Sequence, residues 1–176
     1  MERRLISTTR ECAARLVPTG DPVTIPGNTF VTLTQSLGGT YTVIFNGNMA
    51  RIDSEDADVL GFEPERLTFS PPADGTISED QVHEALASVF DPEIPVNIAD
   101  LGLIYDVQID EASGDVAVQM TLTAPGCGMG DVLVADVKRR VGQVPFVTGV
   151  SVDLVFDPPW SRDMMSEEAQ LELGLF

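Results

Sequence analysis

The sequence predicts an α+β protein: a small all-β N-terminal domain, then a C-terminal α-β-β-α-β domain with helices packed on a small mixed sheet. Three observations carry this prediction. Short β-rich runs joined by glycine-containing turns fill the first part of the chain. Segments of helical and strand period alternate after residue 77. Between these two parts lies SPPADGT, whose prolines and glycine disfavour regular structure.

The first part is expected to form a β meander over residues 23–52. Its runs TFVTLTQSL, TYTVIF and MARI are separated by Gly38-Gly39 and by Asn46-Gly47-Asn48, which are typical hairpin turns. Threonines alternate with apolar residues in the first two runs, so each strand has one polar and one apolar face. The predicted organisation is an N-terminal arm at 1–17, a β-rich domain at 18–70, a linker at 71–76 and a second domain at 77–176.

The second domain is predicted to begin with a helix. Ser78 has the position of an N-cap, Gln81 has the capping-box position, and the apolar side of the helix should run to the Asp91-Pro92 stop. Two strands with alternating apolar residues follow, at about 103–110 and 116–122. A helix is then expected at 129–141, a third strand at 150–156 and a short amphipathic helix with Ser166 as N-cap, whose predicted packing residues are Ala169, Leu171 and Leu173.

Topology selects one edge of this second sheet as the candidate site. Two strands joined by a crossover helix run parallel, so their carboxyl ends share an edge, and the first, antiparallel strand begins there too. The segments that meet at this edge are DPEIPVNIADLG, TAPGCGMG and DPPWSRDMM. Because ligands of open α/β sheets bind outside the carboxyl ends of strands, the functional residues are sought here.

Cys127 is the main chemical candidate at this edge. It lies in a glycine-flanked turn before a helix, where free backbone N–H groups and the helix dipole favour the thiolate, although a free cysteine can also fill a buried gap. Asp91 and Glu93 are candidates for orienting a metal, accepting a proton or binding a partner, or they belong to an ordinary helix stop.

Trp160 and Met164 are candidates on the third segment. Trp160 can cover the site or anchor a partner, or it can cap the core, and Met164 can make a soft apolar contact, offer a thioether or fill a gap. Asn97 is expected to shape its loop. Cys12, near an unpatterned terminus, and His83, on the exposed side of the first helix, are not expected to be ligands.

Composition excludes several classes of function. The net charge is −18 with only ten basic residues, so nucleic acid and anionic membranes are not expected partners. No apolar run approaches the roughly 18 residues of a membrane span and no leader pattern is present, so a cytoplasmic protein is expected. Phosphate-loop, CxxC and Ser-His-Asp patterns are absent, so neither a nucleotide nor conventional enzyme activity is predicted.

Three motifs resemble one known family. In order and spacing, DPEIPVNIADLGLIYDV, MTLTAPGCGMG and VDLVFDPPWSRDMMSEEAQLELG resemble the domain shared by SufT, the phenylacetate-pathway protein PaaD, eukaryotic cytosolic iron-sulfur targeting factors and the extra domain of some Mrp-type ATPases. The resemblance covers residues 77–176, and the preceding β-rich segment looks like the N-terminal extension of longer SufT proteins.

The resemblance implies an accessory factor, not an enzyme, that acts in iron-sulfur cluster assembly or transfer. Cys127 matches the family's functional cysteine, as transient ligand of iron, a cluster or a persulfide, and Trp160 matches the DPPW tryptophan. Its supporting loop residues would be Asp91, Glu93, Asn97, Thr123, Gly126 and Gly128.

A cluster needs about four thiolate or imidazole ligands. One useful cysteine per chain therefore implies a cluster shared between subunits of a homodimer, or completed by a partner or a small thiol. Scaffold or carrier proteins and client apo-proteins are the expected partners. Two alternatives stay open: a metal-free adaptor that links clients to the assembly machinery, and PaaD-like support of an oxygenase.

Overall fold

A computed structural model describes residues 3–65, 67–91, 94–124 and 128–174. The chain forms two compact units that divide after residue 66. The first unit contains strands and one 3-10 segment, and the second contains helices and a three-stranded mixed sheet. The predicted fold class, an all-β part followed by an α-β-β-α-β domain, is confirmed.

The first unit is a six-stranded antiparallel sheet with the strand order β1-β4-β5-β6-β2-β3. Its strands are β1 (Arg4–Ser7), β2 (Cys12–Leu16), β3 (Pro22–Ile25), β4 (Phe30–Leu37), β5 (Thr40–Phe45) and β6 (Asn48–Ile52). A 3-10 segment, Ser54–Leu60, follows. Apolar side chains from the strands and from this segment form one core, including Ile25, Val31, Val43, Ile52 and Val59.

Both predicted hairpin turns are present. Gly38 and Gly39 have φ angles of 62° and 79° between paired residues Leu37 and Thr40. Likewise, Asn46 and Gly47, with φ angles of 50° and 77°, connect β5 to β6. Positive φ at both central residues defines the type I′ hairpin, whose twist matches that of the flanking strands.

Residues predicted as an N-terminal arm contribute two strands to this sheet. β1 pairs with β4, and β2 pairs with both β3 and β6. Cys12 and Ala14 of β2 are buried in the core. At the C-terminal end of the predicted β-rich domain, Leu67 and Phe69 pack against the core of the second unit instead of the first.

The second unit has the predicted element order. It consists of α1 (Glu79–Leu86), β7 (Ile104–Asp110), β8 (Asp115–Met120), α2 (Gly130–Val141), β9 (Gly149–Leu154), a 3-10 segment (Arg162–Met164) and α3 (Glu167–Glu172). β8 lies in the centre of the sheet, antiparallel to β7 and parallel to β9. The predicted crossover through α2 is therefore confirmed.

One face of the second sheet is buried and the other is open. Val116, Val118 and Met120 of β8 share a core with the apolar sides of α1 and α2. On the opposite face of β8, Asp115 and Gln119 are exposed. A two-layer arrangement of this kind leaves the outer sheet face polar.

The first helix begins as predicted but ends earlier. Ser78 Oγ accepts a hydrogen bond from Gln81 N at 3.3 Å. The helix stops at Leu86, not at Asp91, because Ser88 Oγ donates to the carbonyl of Ala85 at 2.6 Å and the backbone tightens into 3-10 bonds.

The C-terminal helix docks on its own unit. Ser166 Oγ accepts from Ala169 N, which confirms the N-cap, and Ala169 is buried in the core. Leu173 packs partly against that core, but Leu171 is 61% exposed, so its predicted packing role is wrong. In this six-residue helix, Leu171 lies two residues from Ala169 and therefore on another side.

Candidate functional site

Hydrogen bonds continue the second sheet past its strand ends and define the candidate edge. Thr121 N donates to the carbonyl of Leu103, and Val155 N donates to the carbonyl of Met120, both at 2.8 Å. The beginning of β7 and the carboxyl ends of β8 and β9 therefore lie side by side. The three motif segments leave the sheet at this edge, as topology predicted.

The segment before β7 is held by its own side chains. Asp91 is buried, and its Oδ1 accepts from Ile94 N at 3.0 Å. Asn97 Oδ1 accepts from Asp100 N at 3.0 Å, and Asn97 Nδ2 donates to Asp100 Oδ2 at 2.9 Å. Both contacts of Asn97 shape the loop, as predicted. Glu93 lies outside the described residues.

Trp160 connects the segment after β9 to the segment before β7. Its Nε1 donates to the carbonyl of Leu101 at 2.7 Å, and its half-buried ring packs against the core. Of the alternatives for Trp160, this geometry matches the core cap. The bond also fixes the two segments to each other at the edge.

Met164 packs in the same region. Its sulfur lies 3.4 Å from Tyr105 Oη, which also donates to the carbonyl of Pro158 at 2.8 Å. Gly102 has a φ of 79°, and a Cβ there would overlap the backbone carbonyl of Met164. The close approach therefore requires glycine at this position.

The cysteine-bearing segment is described only on its two sides. Thr123 is half-buried before the gap, and Gly128 is exposed after it. Gly126 and Cys127 lie outside the described residues, so their roles stay predictions. α2 begins at Gly130, directly after this segment, and its N-cap residue Met129 supplies no side-chain hydrogen bond.

Sequence reasoning missed Thr121. The alternation of β8 placed it on the polar face, yet its side chain is fully buried. Its Oγ1 has no hydrogen-bond partner among the described residues. A buried hydroxyl without a partner costs free energy, and alternation alone carries no signal for it because loops can cover a polar sheet face near its edge.

The remaining candidate ligands lie elsewhere. Cys12 belongs to the core of the first unit, where burial raises the pKa of its thiol. His83 is largely exposed on α1, 3.6 Å from Glu79 Oε1. Within the described ranges, no group of three or more His, Cys, Asp or Glu residues could hold a metal ion. The donors that the structure describes therefore do not form a metal site by themselves.

The fold and the edge define a small α-β-β-α-β domain, and in the sequence Cys127 comes three residues before the start of its second helix. The family described as iron-sulfur cluster assembly protein matches residues 79–152, within the second unit. Two curated relatives are similar to this chain over a longer stretch than the family match. An Fe-S protein maturation auxiliary factor of Porphyromonas gingivalis is 54% identical over 97 residues, which cover 55% of this chain and 91% of that protein.

The second relative, the Fe-S protein maturation auxiliary factor SufT of Staphylococcus aureus, is 41% identical over 49% of this chain and 98% of its own length. A crystal structure of a DUF59 domain of unknown function from Bacillus anthracis superposes with a TM-score of 0.52 at 40% identity, covering 56% of this chain and 92% of that one. The chain belongs to the iron-sulfur cluster assembly protein family. The described part of the chain contains no helix long and apolar enough to cross a membrane.

Proposed function

We propose that this protein is an accessory factor in the assembly of iron-sulfur clusters or in their transfer to client proteins. The single observation that carries the proposal is the edge of the second sheet, where three motif segments meet and Trp160 Nε1 bonds to the carbonyl of Leu101. Relatives named Fe-S protein maturation auxiliary factors support the same assignment.

Cys127 is the proposed transient ligand for iron, a cluster or a persulfide. It lies three residues before the start of α2 in the sequence, and Met129 supplies no side-chain cap there. The first backbone N–H groups of any helix have no partner within the helix. Such a helix start favours negative charge and would stabilise a thiolate or an anionic cluster. Asp91, Glu93 and Trp160 are proposed to shape the edge around the cargo.

The protein is proposed to carry its cargo jointly with another molecule. Cys12 is buried in the other unit, and His83 stands on an exposed helix surface. One cysteine at the edge falls short of the roughly four ligands that a cluster needs. The missing ligands would come from a second copy, from a scaffold or client protein, or from a small thiol.

Anaerobic reconstitution with iron and sulfide tests the proposal. Iron content and the visible absorption spectrum would be compared for the wild type, Cys127→Ser and the control Cys12→Ala, which removes the other thiol. We expect the wild type and Cys12→Ala to bind iron with sulfur-to-iron absorption, and Cys127→Ser to lose both.

Equal iron binding by Cys127→Ser would contradict the assigned ligand. If none of the three proteins binds iron, the metal-free adaptor becomes the better account. That alternative predicts that Cys127→Ser supports maturation of iron-sulfur clients in cells, whereas Trp160→Ala, which removes the ring and its bond to Leu101, does not.

A further inference from the structure

The first sheet exposes a row of apolar side chains on its outer face. Leu5 of β1 lies opposite Thr32, Thr32 lies opposite Ile44, and Ile44 lies opposite Met49. Phe30, two residues before Thr32 on β4, points to the same face because side chains alternate along a strand. We call Leu5, Phe30, Ile44 and Met49 the apolar row.

The row is open to solvent. Phe30 is 69% exposed, Leu5 is 65% exposed and Met49 is 41% exposed, while Ile44 is partly exposed. Their strand neighbours on the other face, such as Val31, are buried in the core. Large apolar side chains that cluster on one surface, instead of being scattered singly, indicate an interaction site.

The charge pattern of the two sheets distinguishes this face. The six strands of the first sheet contain no Asp or Glu, although the chain carries 28 acidic residues and a net charge of −18. The three strands of the second sheet contain no Lys or Arg and four aspartates, which are Asp106, Asp110, Asp115 and Asp153. Two copies that met through the second sheet would bring like charges together, whereas the apolar row has no carboxylate on its strands.

The strands of the first sheet contain three arginines, Arg4, Arg15 and Arg51, and none of them belongs to the apolar row. Arg4 lies on the opposite side of β1 from Leu5, with its guanidinium 5.7 Å from the centre of the Phe62 ring. Arg51 is buried, and its Nη1 pairs with Asp53 Oδ1 at 2.9 Å. Arg15 of β2 is exposed and lies opposite Arg51, and its Nη1 donates to the carbonyl of Gly20 at 3.1 Å. The four side chains of the row itself are uncharged, which suits contact with an identical surface.

We propose that the apolar row is the contact surface between two copies of this chain. A two-fold dimer needs one self-complementary patch, and on this strongly acidic chain the row is apolar and free of strand carboxylates. The row spans three strand spacings, about 14 Å, which is small beside the roughly 800 Å² per partner of a standard interface. The dimer is therefore weak and depends on concentration.

Sedimentation equilibrium of the metal-free protein tests this inference without any cargo. The wild type would be measured from low to high micromolar concentration beside Phe30→Asp, Leu5→Asp and the control Leu171→Asp. Each variant adds one negative charge at a side chain that is at least 61% exposed. Circular dichroism and thermal melting would verify that each variant is folded.

We expect the wild type and Leu171→Asp to pass from monomer to dimer as concentration rises. Phe30→Asp and Leu5→Asp should weaken the dimer by about tenfold or more, because each buries an unpaired carboxylate against an apolar surface. Added salt should strengthen the wild-type dimer by screening the repulsion between two acidic chains.

Three results would overturn the inference. The first is a wild type that stays monomeric at every concentration, and the second is a dimer that survives both Phe30→Asp and Leu5→Asp. If Leu171→Asp disrupts the dimer equally, the effect comes from added charge and not from the row, and the inference also fails. Because no metal is present, none of these results depends on the proposed role of Cys127.

Discussion

The two sheets of this chain place opposite kinds of side chain on their outer faces. In the first sheet, apolar side chains such as Phe30 and Leu5 are exposed, and the strands contain no acidic residue. In the second sheet, the open face carries aspartates, among them Asp106 and Asp153. Only the second unit contains the family match. The comparison teaches that the proposed cargo site and the proposed contact between copies use different units of one chain.

The largest difference between the units is expected in the loss of stability caused by two glycine substitutions, one in each unit. Gly102 of the second unit has a φ of 79° and no room for a Cβ beside the Met164 carbonyl, whereas Gly47 of the first unit has a φ of 77° and open space around it. Gly102→Ala should cost about 3 kcal/mol or more, and Gly47→Ala about 1 kcal/mol, in the free energy of unfolding measured with urea. Equal costs would show that Gly102 is constrained only by its backbone conformation.

Local sequence signals predicted much of both units. The type I′ turns at Gly38-Gly39 and Asn46-Gly47 and the Ser78 N-cap depend on residues that are close in sequence. The parallel pairing of β8 with β9 followed from the crossover connection through α2, which needs no side-chain detail. These features could be predicted because each depends on few interactions.

Long-range pairings could not be predicted in the same way. β1 and β2 are short, and their partners β4 and β6 lie far along the chain. No local sequence pattern therefore predicts these pairings. At the candidate site, topology predicted which segments meet at the edge of the second sheet, but the direction of the Trp160 ring and the burial of Thr121 depend on how loops fold over that edge. The assignment of Cys127 as ligand rests on resemblance and stays a prediction.

Two buried threonines give a second comparison between the units, because their replacement by valine should change the free energy of unfolding in opposite directions. In the first unit, Thr8 Oγ1 donates to the carbonyl of Pro26 at 2.7 Å and accepts from Thr29 N at 3.0 Å. In the second unit, Thr121 Oγ1 has no partner among the described residues. Thr8→Val should therefore destabilise the protein by about 1 to 3 kcal/mol, and Thr121→Val should stabilise it by up to about 1 kcal/mol.

Urea unfolding of both valine variants checks these signs. Thr121→Ser serves as control, because it keeps the hydroxyl and should not gain stability. A loss of stability in Thr121→Val as large as that in Thr8→Val would show that the Thr121 hydroxyl is satisfied in solution, for instance by a buried water molecule.

The smallest effect concerns the acid dependence of stability. A hydrogen bond from Arg10 holds the pKa of Asp58 in the first unit below its ordinary value, and hydrogen bonds from Thr76 do the same for Asp74 in the second unit. Since the folded-state pKa is depressed, the stabilisation is present above the unfolded pKa of about 4 and is lost as pH falls through the folded value.

Asp58→Asn and Asp74→Asn should each reduce stability slightly at pH 7 and should match the wild type near pH 2, where the carboxyls are protonated. Salt should diminish the effect of Asp58→Asn, because Arg10 is a charged partner, and should leave that of Asp74→Asn nearly unchanged. Urea unfolding at both pH values, with and without salt, measures these differences. Loss of stability that persists at low pH would contradict the assigned cause.

The most direct test of the account measures two properties of Cys127→Ser together. Iron content after anaerobic reconstitution reports on the edge of the second sheet, and the mass of the metal-free protein reports on the apolar row of the first. The account predicts that this variant loses bound iron and self-associates like the wild type. Iron binding at the wild-type level in Cys127→Ser would contradict the central claim that the second unit holds its cargo through this cysteine.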